Sequence, residues 1–267
     1  MKTFIIDGNR EGKTIAVVAG VHGNEKAGVE AIKSLLPFKI NQGRLIFVIA
    51  NEKAIEKNVR FIETDLNRLF NCKTPETMEK RIANKMKPLL NQADAMLDLH
   101  SSFSKDTFPF CICEENSVEV AKQLPGKIIL TGLTKFHKGS TDEYMYKHGK
   151  IGICIECGYL NSKKARDIAK KAVRSFCIAF GIIKGRNRKK EQRILKATEL
   201  YKNKSTFKLK KSFKDFEKVN CLIGLDGKEK IKAKGYILFA QSQKNPKKEC
   251  FVIANEKIYK QKQQVGY

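Results

Sequence analysis

Six short apolar runs, at residues 14–19, 44–50, 95–99, 108–112, 127–130 and 151–155, punctuate the first part of this chain. Runs that stay apolar at successive positions suit strands covered on both faces, because alternation with polar residues is expected only where one face meets water. The stretches between them carry helical spacing. These are residues 25–36, stopped by Pro37, then 74–90 with Thr74, Pro75 and Thr77 as cap and first turn, and 117–123, 142–148 and 162–180. The last is the clearest, with Ala165, Ile168, Ala169, Ala172, Phe176 and Ala179 on one stripe and lysines between them. Strand and helix in alternation predict an α/β fold, a central sheet with helices on both faces.

After Gly181 the pattern changes. The charged run at 184–190 reads as a solvated linker, and the short alternating segments beyond it, such as 230–234 and 236–240, predict a small β-rich domain. The expected division is a larger α/β domain over residues 1–184 and a C-terminal β-rich domain over 185–267, for which 267 residues suffice.

The 53 Lys and Arg against 28 Asp and Glu give a net charge of +25. Lysine supplies most of it, without interleaved aromatics or a nucleic-acid motif. Non-specific attraction to polyanions at low salt is therefore expected, and no specific nucleic-acid partner. The apolar stretches are too short to span a bilayer, and the N-terminal Met1-Lys2-Thr3-Phe4-Ile5-Ile6-Asp7 does not read as a secretory signal, so a cytoplasmic protein with no membrane attachment is expected. Eight scattered cysteines suit a reducing compartment. Cys154 and Cys157 form a C-x-x-C, but inside an expected strand they point to opposite faces, which disfavours a redox or metal pair. Homo-oligomerisation is compatible with the sequence.

Three segments that follow apolar runs carry the chemistry: Gly20-Val21-His22-Gly23-Asn24-Glu25, Asp98-Leu99-His100-Ser101-Ser102 and Ile155-Glu156-Cys157-Gly158. In open α/β sheets ligands sit beyond the carboxyl ends of the strands, and His22, His100 and Glu156 are expected just there. A His and a Glu three apart, joined by a distant second His, offer zinc two imidazoles and one carboxylate and leave a position for water. A further carboxylate can take that water's proton, the minimum for hydrolysing an amide. Glu156 follows Gly152-Ile153-Cys154-Ile155, where a carboxylate without a partner is costly. Singly, each residue would more often be a loop or surface group; their coincidence on three strands carries the reading.

With Arg60 and Thr64-Asp65-Leu66-Asn67-Arg68-Leu69-Phe70 added, the chain resembles the succinylglutamate desuccinylase and aspartoacylase family, a branch of the zinc carboxypeptidase superfamily. The resemblance covers most of the first 160 residues. It implies a mixed central sheet of the zinc carboxypeptidase kind and a zinc-dependent catalytic domain at residues 1–184. One Zn2+ per chain would be held by His22, Glu25 and His100. Glu156 would be the general base that later returns its proton to the leaving amine, and Arg60 would stabilise the developing oxyanion. Asn67 and Arg68 would hold a substrate carboxylate, a task suited to a guanidinium fork. Asp65 is expected to orient its neighbours and Asp98 to support His100; the rival reading of Arg68 is a strut paired with Asp65. Gly139-Ser140-Thr141-Asp142-Glu143-Tyr144-Met145-Tyr146 resembles a stretch before the catalytic Glu that shapes the pocket in related enzymes, which makes Tyr144 a substrate-binding candidate. The other reading is a helix capped at Ser140 or Thr141 with Tyr144 in the core.

Two departures bear on the substrate. Aspartoacylases add an Arg upstream of the catalytic Glu and a Tyr from the C-terminal domain. Here the upstream stretch holds Tyr144, Tyr146 and Lys147, and residues 239–249 contain Lys244 but no Tyr. N-acetylaspartate is therefore not assigned. The expected function is zinc-dependent hydrolysis of the amide bond of an N-acyl amino acid or a similar small carboxylate-bearing amide, with that small molecule as partner. Two rivals remain: a metallocarboxypeptidase acting on short peptides or murein fragments, and a non-catalytic polyanion-binding protein.

Overall fold

Strands that are apolar at every position need a cover on each face, and the first of the chain's two compact units, Met1–Gln192, supplies it. The structure is a computed structural model that describes residues 1–71, 73, 75–160, 162–188, 191–202, 213–223, 230–231, 233–240 and 249–256. Strands of the first unit are β1 (Lys2–Asp7), β2 (Thr14–Ala19), β3 (Arg44–Ile49), β4 (Ala95–Ser102), β5 (Phe110–Cys113), β6 (Ile128–Thr131) and β7 (Ile151–Tyr159). They lie in the order β1-β3-β2-β4-β7-β5-β6. β3, β2, β4 and β7 run parallel, whereas β1 is antiparallel to β3 and β5 to β7, so the sheet is mixed.

Helices α1 (Lys26–Leu35), α2 (Glu52–Lys57), α3 (Met78–Gln92), α4 (Val118–Ala121), α5 (Thr141–Lys147) and α6 (Lys163–Ala179) complete the unit. On one face Ala16, Val18, Ile46, Val48 and Met96 pack with Ala83, Met86 and Leu90 of α3 and Met145 of α5 in a single buried cluster. The alternate residues Val17, Ala19, Phe47, Leu97 and Leu99 are just as buried, on the side where α1 and α6 meet each other and the sheet. Thr77, expected inside the first turn, is instead the cap of α3, and Ser162 at the start of the expected last helix caps α6. Thr77 Oγ1 accepts from Lys80 N at 3.1 Å, and the Ser162 hydroxyl accepts from Lys164 N at 3.2 Å. Thr74 lies outside the described residues.

Several elements differ from expectation. β1 and α2 gave no strong signal, β1 because it is a half-exposed edge strand and α2 because it is one short segment, capped where Asn51 Oδ1 accepts from Ala54 N at 3.2 Å. α4 is shorter than residues 117–123, since Pro125 and Gly126 follow it closely. β4 and β7 run on past Leu99 and Ile155 because they pair with each other as far as Ser102 and Tyr159. His100 and Glu156 thus stand inside strands, and only His22 lies beyond a strand end.

The second unit, Arg193–Tyr267, holds β8 (Arg193–Lys202), β9 (Glu217–Val219), β10 (Leu222–Ile223), β11 (Lys230–Ile231), β12 (Gly235–Leu238) and β13 (Glu249–Glu256). β8, β13, β12 and β9 are antiparallel neighbours in that order, and β10 pairs with β11. Val219, Leu222, Ala233, Ile237, Phe251 and Ile253 form its apolar cluster. Lys244 lies outside the described residues. No helix among the described residues is long and apolar enough to cross a membrane.

Candidate active site

Two glycines let β2 deliver its histidine. Gly20 turns the chain at φ +69°, which only glycine adopts without strain. Gly23 packs so closely on α2 that a Cβ would stand 2.1 Å from the Ala54 carbonyl carbon. Together they carry His22 over the strand end and place Glu25 at the cap of α1. Gly23→Ala must push this segment off Ala54, and a misplacement of about 1 Å in such a site costs about a hundredfold in rate. Zinc titration and turnover of the purified variant check this, with wild-type values in both counting against it.

Glu25 is the hub. Its Oε1 lies 2.8 Å from His22 Nδ1, and its Oε2 lies 3.0 Å from His100 Nδ1 and accepts from Ser101 N at 2.9 Å. All three side chains are buried, and one ligand atom from each lies within 4.8 Å of the others. Each outer ring nitrogen faces a second carboxylate: His22 Nε2 is 3.0 Å from Asp65 Oδ1, and His100 Nε2 is 3.0 Å from Asp98 Oδ2. Asp98 is held in turn by Thr141 Oγ1, which donates at 2.7 Å.

The electrostatics follow from this packing. Burial works against a charged His22 and a charged His100, but the carboxylates beside them outweigh it and raise both imidazoles above the ordinary histidine value. Burial opposes ionisation of Glu25 too, yet His22 and His100 hold its carboxyl far below the usual range. Asp65 is likewise held low despite burial, by His22 and Arg60.

Glu156 sits beside His100 because the parallel register of β4 and β7 pairs the two positions. Adjacent residues in register send their side chains to the same face. Glu156 is half-buried, but its Oε2 is out of reach of solvent and has no hydrogen-bond partner among the described residues. Burial, with the Glu25 charge adding to it, pushes this carboxyl up to about 7.

The remaining candidates separate. Arg60 joins the cluster, donating from Nε and Nη2 to Asp65 Oδ2 at 3.2 and 3.1 Å and from Nη1 to Glu25 Oε1 at 3.4 Å. Asn67 Oδ1 accepts from Thr141 N at 3.0 Å, which turns the amide NH2 the other way. Arg68 is not a strut on Asp65: its Nη1 donates to the Asn67 carbonyl at 2.8 Å and its Nη2 meets His137 Nδ1 at 3.0 Å. Tyr144 is not brought to the cluster. It is buried among Phe70, Met86 and Leu90, and its hydroxyl donates to Asn91 Oδ1 at 2.8 Å, while Ser140 caps α5. The core reading of that residue is the one the packing supports. The bond from Thr141 to Asp98 and the contact of His137 with Arg68 escaped the sequence reading, in which Thr141 is only a candidate cap. Thr141 lay inside the Gly139 to Tyr146 stretch already singled out, whereas nothing in the local sequence links His137 to Arg68.

The donor set fits a divalent metal. Two imidazoles and one carboxylate converge, and a carboxylate behind each imidazole fixes the tautomer whose inner nitrogen can bind a cation. Cys154 and Cys157 are both buried, and burial pushes the Cys154 thiol up from its usual value.

Comparison with known proteins identifies relatives in sequence and in fold. A succinylglutamate desuccinylase of Vibrio cholerae is 39% identical over 101 residues, covering 35% of this chain and 29% of that protein. One of Pseudomonas putida is 45% identical over 65 residues, covering 22% and 19%. The alignments thus span less than a third of these relatives. In fold, the chain is similar to the succinylglutamate desuccinylase of Chromobacterium violaceum, with a TM-score of 0.75 at 19% identity over 93% of this chain and 86% of that one. It is also similar to the product-bound ectoine utilization protein EutE (DoeB) of Ruegeria pomeroyi, with a TM-score of 0.73 at 23% identity over 95% and 88%. The family model for the succinylglutamate desuccinylase/aspartoacylase catalytic domain matches residues 11–178, which takes in the whole His22, Glu25, His100 and Glu156 cluster, and the chain belongs to that family.

Proposed function

We propose that this chain hydrolyses the amide bond of an N-acyl amino acid or a similar small carboxylate-bearing amide, with one Zn2+ held by His22, Glu25 and His100. The observation that carries the reading is Glu156, whose Oε2 has no hydrogen-bond partner among the described residues, in register beside a His-Glu-His set whose imidazoles are each backed by a carboxylate. Zinc there would act as a Lewis acid and lower the pKa of a water molecule. Glu156 takes a proton from the attacking water and delivers it to the nitrogen of the leaving amine, so the amide C–N bond breaks with a neutral amine departing. Arg60, which reaches from Asp65 to Glu25, shares the negative charge of the tetrahedral oxygen. The free face of the Asn67 amide and the Arg68 guanidinium offer only N–H donors, which suits a substrate carboxylate.

A purified sample tests this by metal analysis and by mass-spectrometric screening of N-succinyl amino acids, N-acetyl amino acids and short peptides. About one zinc per chain is expected, with free amino acid released from N-acyl amino acids. Cleavage of peptides alone transfers the site to a carboxypeptidase, and a zinc-loaded chain that hydrolyses neither class overturns the reading. Chelation is expected to abolish turnover and lower Tm by several degrees. Zinc at a hundredfold excess over its Kd adds about 2.7 kcal/mol, and each kcal/mol is worth about 2–4 °C in a chain of this size. An unchanged Tm would remove zinc from the account of the buried cluster.

A further inference from the structure

Arg60, Asp65, Asn67 and Arg68 all stand between α2 and α3, where the only regular structure among the described residues is one 3-10 turn at Leu66–Arg68. No ladder of strand or helix bonds holds residues 60–65, yet the geometry of Arg60 and Asp65 depends on them. A single side chain gathers this segment. Glu79, fully buried in the first turn of α3, accepts from Ile62 N at 2.8 Å, Glu63 N at 3.3 Å and Thr64 N at 3.2 Å. Asn51 Nδ2 donates to it as well, at 3.1 Å, which ties the end of β3 to the same carboxylate.

Three successive backbone N–H groups aimed at one carboxylate make an anion nest, and the first turn of a helix adds its positive end. The hold is reciprocal, since the Glu63 carboxylate accepts from Met78 N at 2.9 Å. The segment also reaches the metal loop directly, through Gly23 N donating to the Arg60 carbonyl at 3.1 Å. One residue past the nest stands Asp65, which places its oxygens on His22 and Arg60.

We propose that Glu79 is a positioning residue for the metal site: it sets the backbone at 62–64 and so fixes Asp65 against His22 and Arg60, without touching substrate or metal. The inference rests on His22 as a zinc ligand, and not on which substrate is cleaved. In Glu79→Gln one oxygen becomes an NH2 facing groups that can only donate, so at least one N–H loses its acceptor on Glu79 and the nest opens.

The test is a double-mutant cycle read as zinc affinity, by competition with a chromophoric chelator. Glu79→Gln and Asp65→Asn are each expected to weaken zinc about tenfold to a hundredfold, the usual loss when a group supporting a ligand is removed. If Glu79 acts through Asp65, the double variant loses no more than about twofold beyond Asp65→Asn alone. Met86→Ala, on the same helix but buried in the sheet-facing core, lowers Tm and keeps wild-type zinc affinity. Wild-type affinity in Glu79→Gln, losses that multiply in the double variant, or an equal loss in Met86→Ala overturns the inference. Should Glu79→Gln fail to fold, Glu79→Asp takes its place in the cycle, where a smaller loss in the same direction supports the inference and unchanged affinity overturns it. A wild-type chain that binds zinc but cleaves no N-acyl amino acid overturns the proposed function alone; one that binds no zinc overturns both.

Discussion

Glu156→Gln is expected to keep its fold and its zinc while turnover falls by about 10²–10⁴, the range that a positioned general acid–base group contributes. The substitution keeps the shape of the side chain beside His100 in the paired strands β4 and β7, so packing is little changed. It removes the one property the mechanism needs, an oxygen that can accept a proton and give it back. The neighbourhood shows why that oxygen is available: Oε2 has no hydrogen-bond partner among the described residues, and burial with the Glu25 charge pushes the carboxyl up to about 7. A carboxylate base loses its function once falling pH protonates it. The rising acid limb of the wild-type pH profile is therefore expected to disappear in the variant. Steady-state kinetics at saturating zinc, with the metal content measured on the same sample, decide the matter. Activity within threefold of wild type, or a loss fully explained by missing zinc, would remove Glu156 as the base.

The parts of this molecule that could be read ahead of the structure are those whose chemistry is local. The two-sided burial of β2 and β3 is written as apolar runs, and α3 and α6 announce themselves, α3 by the Thr74, Pro75 and Thr77 run before it and α6 by its apolar spacing. His22 and Glu25 are three apart on one turn, so their convergence is a property of a few residues. His100 and Glu156 became partners only through the register of two parallel strands, which depends on every contact between them. Tyr144 shows the limit most plainly. The motif leaves it between pocket and core, and α5 lies on the sheet with that ring turned toward Phe70 and Asn91, a matter of helix rotation that a motif does not encode. Glu79 was silent for a different reason. Its partners at 62–64 are backbone N–H groups, which every residue but proline carries, so nothing in the sequence distinguishes the nest.

Arg60→Ala is expected to lower kcat by about 10²–10³, the cost of removing one group that stabilises an oxyanion, with KM and Tm little altered. The stability side follows from exposure. The Arg60 side chain is 37% exposed, and ion pairs in that setting contribute at most about 1 kcal/mol. The rate side follows from direction, since the same group is fixed by two bonds to Asp65 Oδ2 and pointed at Glu25, between the outer carboxylate and the ligand cluster. Charge that appears only in the transition state meets a cation already in place, so the benefit falls on kcat. A structural role makes a different forecast. If Arg60 serves only to hold Asp65 on His22, its removal loosens zinc, and saturating metal restores the rate. Arg60→Lys separates the two further, because an ammonium keeps the charge but cannot reproduce the paired Nε and Nη2 contacts. Partial recovery of kcat in the lysine variant, with zinc affinity still near wild type in the alanine variant, is the expected pattern. Full recovery of Arg60→Ala by added zinc would assign the residue to the support of His22 and leave oxyanion stabilisation to other groups.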